Sequence, residues 1–444
     1  MMKKSLGPLM KSGASLLRPQ LRDIHSQNNL KPWENVALQY LRKMLNSKYK
    51  NEVSMWGIPL TKTSETERSD IILLKFLRAK EFNVPDSYNM LCKTISWRKD
   101  FGTDSILKED LGPGFNDALA PRAYMRGFDR EGNPVWYYHY GIYHYKTIRD
   151  NYLGNAENFQ KFIRWRVQLL EKAIKMLDFK PGGSNSITQV VSFCNGFGGY
   201  FNPATKPFSH NIPDLDDFLN VVSIESKVNS NRILSILEDN YPGMISYQII
   251  LDVPWYLNIL VSVRARYFAR KHMLKCVMAE QGNIFETLFK YIKAEHIPYF
   301  HGGMDDPILD DVRMPRYKEP VISEFKINGG EKLDVQIDGI VKGAKVTWQA
   351  VGGGWDMEYH AKFVPDANPN LAIVVKEPSK MKRKAILWHD SYTAEEAGKI
   401  VLVFDNTPNK NREVIAYRYI VQQSTLSRLR EKKKVVQQSM LKIA

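Results

Sequence analysis

Through roughly the first three hundred residues, amphipathic helical patterns alternate with short strand-like runs, and past Pro320 strands follow one another without helices. This switch limits the fold more than composition does. Helices alternating with strands favour a mixed or parallel sheet with helices packed on it. Strand signals roughly every 8–12 residues, punctuated by Gly and Asn-Pro, give the rhythm of a β-sandwich. In the first part, SETERSDIILLKFLRAK (Ser64 to Lys80) opens with Ser and acids and closes on basic residues, a helix well oriented for its dipole. Further helices are predicted over Pro85–Trp97 and Glu157–Leu177, the latter burying Phe162, Val167, Leu170, Ile174 and Leu177. Strands are predicted over Pro134–His139, Ser186–Ser192, Tyr247–Leu251 and Met273–Val277. The Pro-rich stretch Met314–Pro320 reads as a linker, with a domain boundary near residue 315. Beyond it, Lys345–Gln349, Leu371–Val375 and Lys399–Phe404 read as sandwich strands.

A chain of 444 residues that is 43% hydrophobic has material for two to three domains. Its net charge of +15 predicts attraction to polyanions, nucleic acid or an anionic membrane. The aromatics do not interleave with basic residues in an RNA-binding pattern, so nucleic acid is not expected. Cys92, Cys194 and Cys276 lie far apart and read as buried thiols of a reducing compartment. The nine histidines show no metal-ligand spacing. No GxSxG, Walker loop or HExxH is present, and Cys194–Gly199 reads as a loop after a strand; neither an enzyme nor a cofactor is expected. The most apolar stretch, Trp255–Val263, is well short of the roughly 20 residues a bilayer needs. Membrane contact is therefore expected to be peripheral. Lys3, Lys4, Lys11, Arg18 and Arg22 precede the first acid, Asp23, beside Leu6, Leu9, Leu16 and Leu17. This segment fits either an organellar transit peptide or a basic tail that brushes a membrane. Ser424–Ala444 fits a basic amphipathic helix or a solvated tail equally well.

Periodicity stops at an α/β domain plus a sandwich. Trp56-Gly-Ile-Pro-Leu60, Leu74-Lys-Phe-Leu-Arg-Ala-Lys-Glu-Phe82 and Trp97-Arg-Lys99 resemble the helical lead-in of CRAL-TRIO proteins, the first in its patellin form. Asn240-Tyr-Pro242, Asp252-Val-Pro-Trp255 and Ile297-Pro-Tyr-Phe-His-Gly-Gly303 follow in the order and spacing of that family's lipid-binding core. Thr347-Trp348, Trp355-Asp356, Phe363-Val-Pro365, Gly398-Lys399, Asp405-Asn406 and Tyr417-Arg418 resemble a GOLD domain. The resemblance spans roughly Trp56 to Val421 and suggests the patellin family. It implies a basic tail over 1–31, a helical lead-in over 32–110, a CRAL-TRIO domain over 111–312, a GOLD sandwich over 320–422 and a basic tail over 423–444.

The resemblance also implies a cavity that encloses a lipid behind a mobile helix. Trp255, Tyr256, Leu257, Ile259, Leu260, Val261 and Val263 surround more of a helix than one stripe, as a gate between lipid tails and a membrane would. An ordinary buried helix is the reading without the family. For the headgroup, the resemblance places Lys275 on the strand after the gate and Lys80 at the end of the FLRA helix. Glu81 reverses the charge at the family's second basic place, and Gly243 replaces its glutamate. Of the positions linked to choline lipids only Thr188 matches; Met125, Trp136 and Val190 fill the others. In the second domain Lys380, Lys382, Arg383 and Lys384 form a dense basic loop, expected to contact anionic lipid.

The function so implied is non-enzymatic binding of phospholipids, phosphoinositides among them, with transfer or presentation at membranes in vesicle trafficking. Its ligand is the bound phospholipid and its location cytoplasmic at a peripheral membrane. Two alternatives stand beside it: a trafficking adaptor whose GOLD domain binds a protein partner, and a carrier of a non-phospholipid such as a tocopherol or retinoid.

Overall fold

The computed structural model describes residues 30–50, 53–61, 66–112, 119, 123–139, 156–193, 229–253, 261–262, 275–279, 284–298, 301–305, 322–352, 357–380, 388–410 and 413–422. The expected linker Met314–Pro320, the C-terminal basic tail and all of the N-terminal one but Leu30 and Lys31 lie outside them. By contacts the chain divides into two compact units, Met1–Met278 and Ala279–Ala444.

In the first unit, α1 (Pro32–Tyr49), α2 (Thr66–Ala79) and α3 (Val84–Phe101) pack against one another. Caps set their ends. Glu34 accepts the Lys31 N–H at 2.8 Å before α1, and Asn83 accepts the Asp86 N–H at 3.2 Å at the start of α3. Gly102, at φ 74°, closes α3 in a left-handed cap that places its N–H on the Arg98 carbonyl. Between α1 and α2 a small hairpin joins β1 (Ser54–Met55) to β2 (Ile58–Pro59). Its two turn residues, Trp56 and Gly57, lie at φ 53° and 75°. Both central residues of such a tight turn need positive φ, and a bulky aromatic residue rarely accepts it.

The sheet of this unit runs in the order β3 (Ala123–Phe128), β4 (Pro134–His139), β5 (Ile187–Ser192), β6 (Ile245–Leu251), β7 (Lys275–Met278). β3 is antiparallel to β4 and the rest are parallel. The mixed sheet with helices follows the sequence pattern. α4 (Ala156–Ile174) links β4 to β5, and α5 (Asn229–Asn240) precedes β6. Trp136, Tyr138, Ile187 and Val191 pack with Phe162 and Leu170 of α4 in one continuous core.

In the second unit, α6 (Ile284–Tyr291) leads to a sandwich of two antiparallel sheets. One has the order β13 (Trp388–Thr393), β10 (Lys345–Gly352), β15 (Glu413–Gln422), β8 (Ser323–Ile327). The other has β12 (Ile373–Lys380), β11 (Glu358–Pro365), β14 (Gly398–Asp405), β9 (Lys332–Ile340). Their inner faces meet at Tyr359, which takes the Trp348 indole N–H, stacks on Trp388 at 4.6 Å and meets Phe404 at 5.4 Å. The stretch before the sandwich is tied to it. Ala294 N–H donates to Glu324 at 3.3 Å, and Arg418 donates to the Met304 carbonyl at 3.3 Å.

Candidate functional site

Side chains alternate along each strand, so register decides which residues share a face. Val135, Thr188, Tyr247 and Lys275 form one cross-strand row. The next row on that face is Tyr137, Val190, Ile249 and Val277. Val135, Tyr137, Val190 and Ile249 are almost wholly buried, yet they stand apart from the core cluster on the helix side. This second face is therefore apolar at its centre, with a cation at its rim. Lys275 lies exposed on the edge strand, its ammonium 5.4 Å from the centre of the Tyr247 ring and 3.4 Å from its hydroxyl. Thr188 shares the row, but its hydroxyl donates to Asp129 at 2.7 Å. Asp129 also accepts the backbone N–H of Glu131 and Asn133 and the Asn133 amide. Burial raises its carboxyl above the usual carboxylate range against those hydrogen bonds.

Met125 and Trp136, read from the sequence as counterparts of Thr188, sit on the opposite face. Trp136 is in register with Gln189 rather than Thr188 and belongs to the helix-side core. Besides Tyr247, the tyrosines that share the Thr188 face are Tyr124 and Tyr137, stacked with ring centres 5.4 Å apart. An offset of one residue reverses the face, and the sequence offers no marker for it.

Lys80 is exposed just past α2, where Glu81 and Phe82 both take positive φ. Gly243 turns at φ 61°, and its carbonyl accepts the Lys75 ammonium at 2.7 Å. Lys75 is wholly buried, and desolvation lowers its pKa to about 7. The carbonyl at the position of the missing glutamate is thus engaged by Lys75, which lies outside the expected headgroup residues. A charge inside the apolar run Ile71–Phe76 was the available signal.

Of the gate positions, Trp255, Tyr256, Leu257, Ile259, Leu260 and Val263 lie outside the described residues. Val261 packs on the small cluster of Ile250 and Val253, and Ser262 donates to the Met278 sulfur at 3.3 Å. Met278 is in register with Ile250, on the face opposite Lys275. Of the expected basic loop, Lys380 is instead the last residue of β12, in register with Glu358 of β11 and 3.8 Å from its carboxylate, while Lys382, Arg383 and Lys384 lie outside the described residues. Cys92 and Cys276 are half-buried free thiols rather than buried ones, and burial pushes the Cys276 thiol up to about 11. Among the described residues no helix is long and apolar enough to cross a membrane.

One further cluster binds the motifs together. Glu171 of α4 accepts Arg98 at 2.5 Å, the Tyr241 hydroxyl at 2.6 Å and the Trp56 indole at 3.3 Å on a single oxygen. Trp56, Arg98 and Tyr241 come from three separate sequence motifs. Neither Glu171 nor its role was predicted.

Models of known families match in three places. The CRAL/TRIO N-terminal domain covers residues 37–93, the CRAL/TRIO domain 214–303 and the patellin-1-like C-terminal GOLD domain 328–412. Patellin-6 of Arabidopsis thaliana is 42% identical over 403 residues, 91% of this chain and 90% of that protein. The phosphatidylinositol transfer protein SFH5 of Candida albicans is 23% identical, over 59% of this chain and 77% of its own. The crystal structure of Sfh5 aligns with a TM-score of 0.42 at 20% identity, covering 58% of this chain and 83% of that one. With its lead-in, mixed sheet and sandwich all in place and the identity to Patellin-6 running nearly end to end, the chain belongs to the patellin family.

Proposed function

We propose that this protein is a non-enzymatic carrier that binds a phospholipid and transfers or presents it at membranes, with anionic phosphoinositides among its ligands. The observation that carries this reading is the edge cation on an apolar face. Lys275 stands at the rim of rows whose centre is Val135, Tyr137, Val190 and Ile249. That arrangement suits an amphiphile whose phosphate meets the ammonium while its chains run inward toward the apolar rows. Each chain CH₂ taken out of water contributes roughly 0.8 kcal/mol. The relative named as a phosphatidylinositol transfer protein supports the ligand class. Without an acceptor side chain at Gly243, the site attracts phosphate but selects loosely among anionic headgroups.

The stacked pair Tyr124 and Tyr137 supports a second ligand class on the same face. Aromatic faces attract quaternary ammonium groups, so choline lipids are compatible with it. The test is to extract lipid from wild-type and Lys275→Ala protein after incubation with mixed vesicles. The variant is expected to lose anionic lipid while keeping choline lipid. Loss of both together makes Lys275 structural, and a wild-type protein loaded only with neutral lipid overturns the anionic assignment.

A further inference from the structure

The inner side of α1 buries Ala37, Leu38, Leu41 and Leu45. Its outer side is unusual. Trp33, Val36 and Tyr40, spaced i, i+3 and i+7 along one stripe, are 52%, 69% and 54% exposed. They are three of the four most exposed large apolar side chains among the described residues. Among the described residues, only the stripe's end touches anything aromatic: Trp33 meets Phe82 edge-on at 5.2 Å. Cations surround it. Lys31 stands 5.9 Å over the Trp33 ring, Lys43 continues the stripe, and exposed Lys80 is two residues from Phe82. The neighbouring acids are Glu34, held by the Lys31 N–H, and exposed Glu81.

We propose that this side of α1, with Trp33, Val36 and Tyr40 between Lys31, Lys43 and Lys80, docks on the headgroup layer of an anionic membrane. The chemistry favours a bilayer over another protein. Trp and Tyr place an apolar body and a polar tip at the level of the headgroups, and lysines answer anionic lipid. Three side chains in a row fall far short of the ~800 Å² that each partner buries in a stable protein complex. The docking rests on the carrier reading for its purpose, since it names the surface that meets the donor or acceptor membrane.

The test uses the full chain and vesicles of phosphatidylcholine with phosphatidylserine. Replacing Trp33, Val36 and Tyr40 together with Gln is expected to weaken vesicle binding at least about tenfold. The melting temperature, and loading with detergent-dispersed phosphatidylinositol, stay as in wild type. Brominated lipid is expected to quench wild-type tryptophan fluorescence more than that of Trp33→Phe. Should the triple variant fail to fold, Val36→Gln alone, at a highly exposed position, is expected to show a several-fold loss. Unchanged binding by the folded variants, equal quenching, or a wild-type dimer that the substitutions turn into a monomer overturns the proposal. A wild-type protein that loads no lipid, yet loses vesicle binding on these substitutions, overturns the carrier reading and leaves the docking surface in place.

Discussion

The Tyr241 hydroxyl donates to Glu171 at 2.6 Å, on the oxygen that also receives Arg98. The three groups sit on α3, on α4 and just past α5, so one carboxylate joins the helical lead-in to the sheet-bearing part of the first unit. The Arg98 guanidinium also lies 5.1 Å over the Trp56 ring, and Trp56 stacks flat on Phe179 at 5.7 Å. Glu171 and Arg98 are both nearly buried, and without Glu171 the guanidinium keeps only the exposed Asp104, at 2.9 Å, as a carboxylate partner. Glu171→Ala is expected to cost about 3–5 kcal/mol in denaturant unfolding of the first unit. Tyr241→Phe, which keeps the ion pair and removes one hydrogen bond to the carboxylate, is expected to cost less, about 1.5–3 kcal/mol. A Glu171→Ala loss as small as that of Tyr241→Phe would show that the carboxylate does not hold the lead-in.

Thr188 separates a structural role from a headgroup role. Its hydroxyl is already given to Asp129. Thr188→Val keeps the shape and removes the donor, and it is expected to lower stability by about 1–3 kcal/mol. The ratio of anionic to choline lipid extracted from the protein should not move. A shift in that ratio at unchanged stability would return Thr188 to the headgroup site.

The fold was largely legible because its strands are written as short apolar runs between turn residues. Pro134–His139 is β4 to the residue, and Lys399–Phe404 falls within β14. Faces were less legible. β3 and β4 are too short and too aromatic on both sides for alternation to mark one side as inner, so nothing in the pattern checks the family resemblance that sets Met125 and Trp136 beside Thr188. The Glu171 cluster was hidden for a different reason: its partners are separated by 70 residues or more in sequence. It left a trace all the same, because Glu171 interrupts the apolar stripe Val167, Leu170, Ile174 on α4. A charge on a buried stripe calls for a distant partner, although the sequence does not say which.

The basic loop of the sandwich divides into unequal parts. Lys380 is near Glu358, which offsets its charge, whereas Lys382, Arg383 and Lys384 follow with no acid among them. At about 1 kcal/mol per cation near an anionic surface, replacing those three with Gln is expected to weaken vesicle binding by on the order of a hundredfold at low salt. Lys380→Gln alone should do much less. Both differences should fade at high salt, where exposed charges are screened within a few ångströms. Binding by the triple variant equal to wild type at low salt would remove the loop from the membrane contact.

Lys75 gives the first unit a pH dependence of unusual sign. Burial lowers its pKa from the ordinary 10.5 to about 7, with the nearby Arg78 charge acting in the same direction. Below about pH 7 the folded and unfolded chains both carry the proton, so the cost of the buried ammonium is present in full. Between about 7 and 10.5 the unfolded chain binds the proton and the folded chain does not, so stability rises with pH. The slope contributed by one such group is at most about 1.4 kcal/mol per pH unit. The neutral amine can still donate to the Gly243 carbonyl, so deprotonation need not open the turn. Lys75→Met removes the titrating group without charging the site. Urea unfolding of the two proteins from pH 7 to 9, below the range in which tyrosines ionise freely, should show the rise in wild type and a flatter profile in the variant. Parallel profiles would mean that Lys75 keeps its proton in the folded protein, with the Gly243 carbonyl sufficient to hold a buried charge.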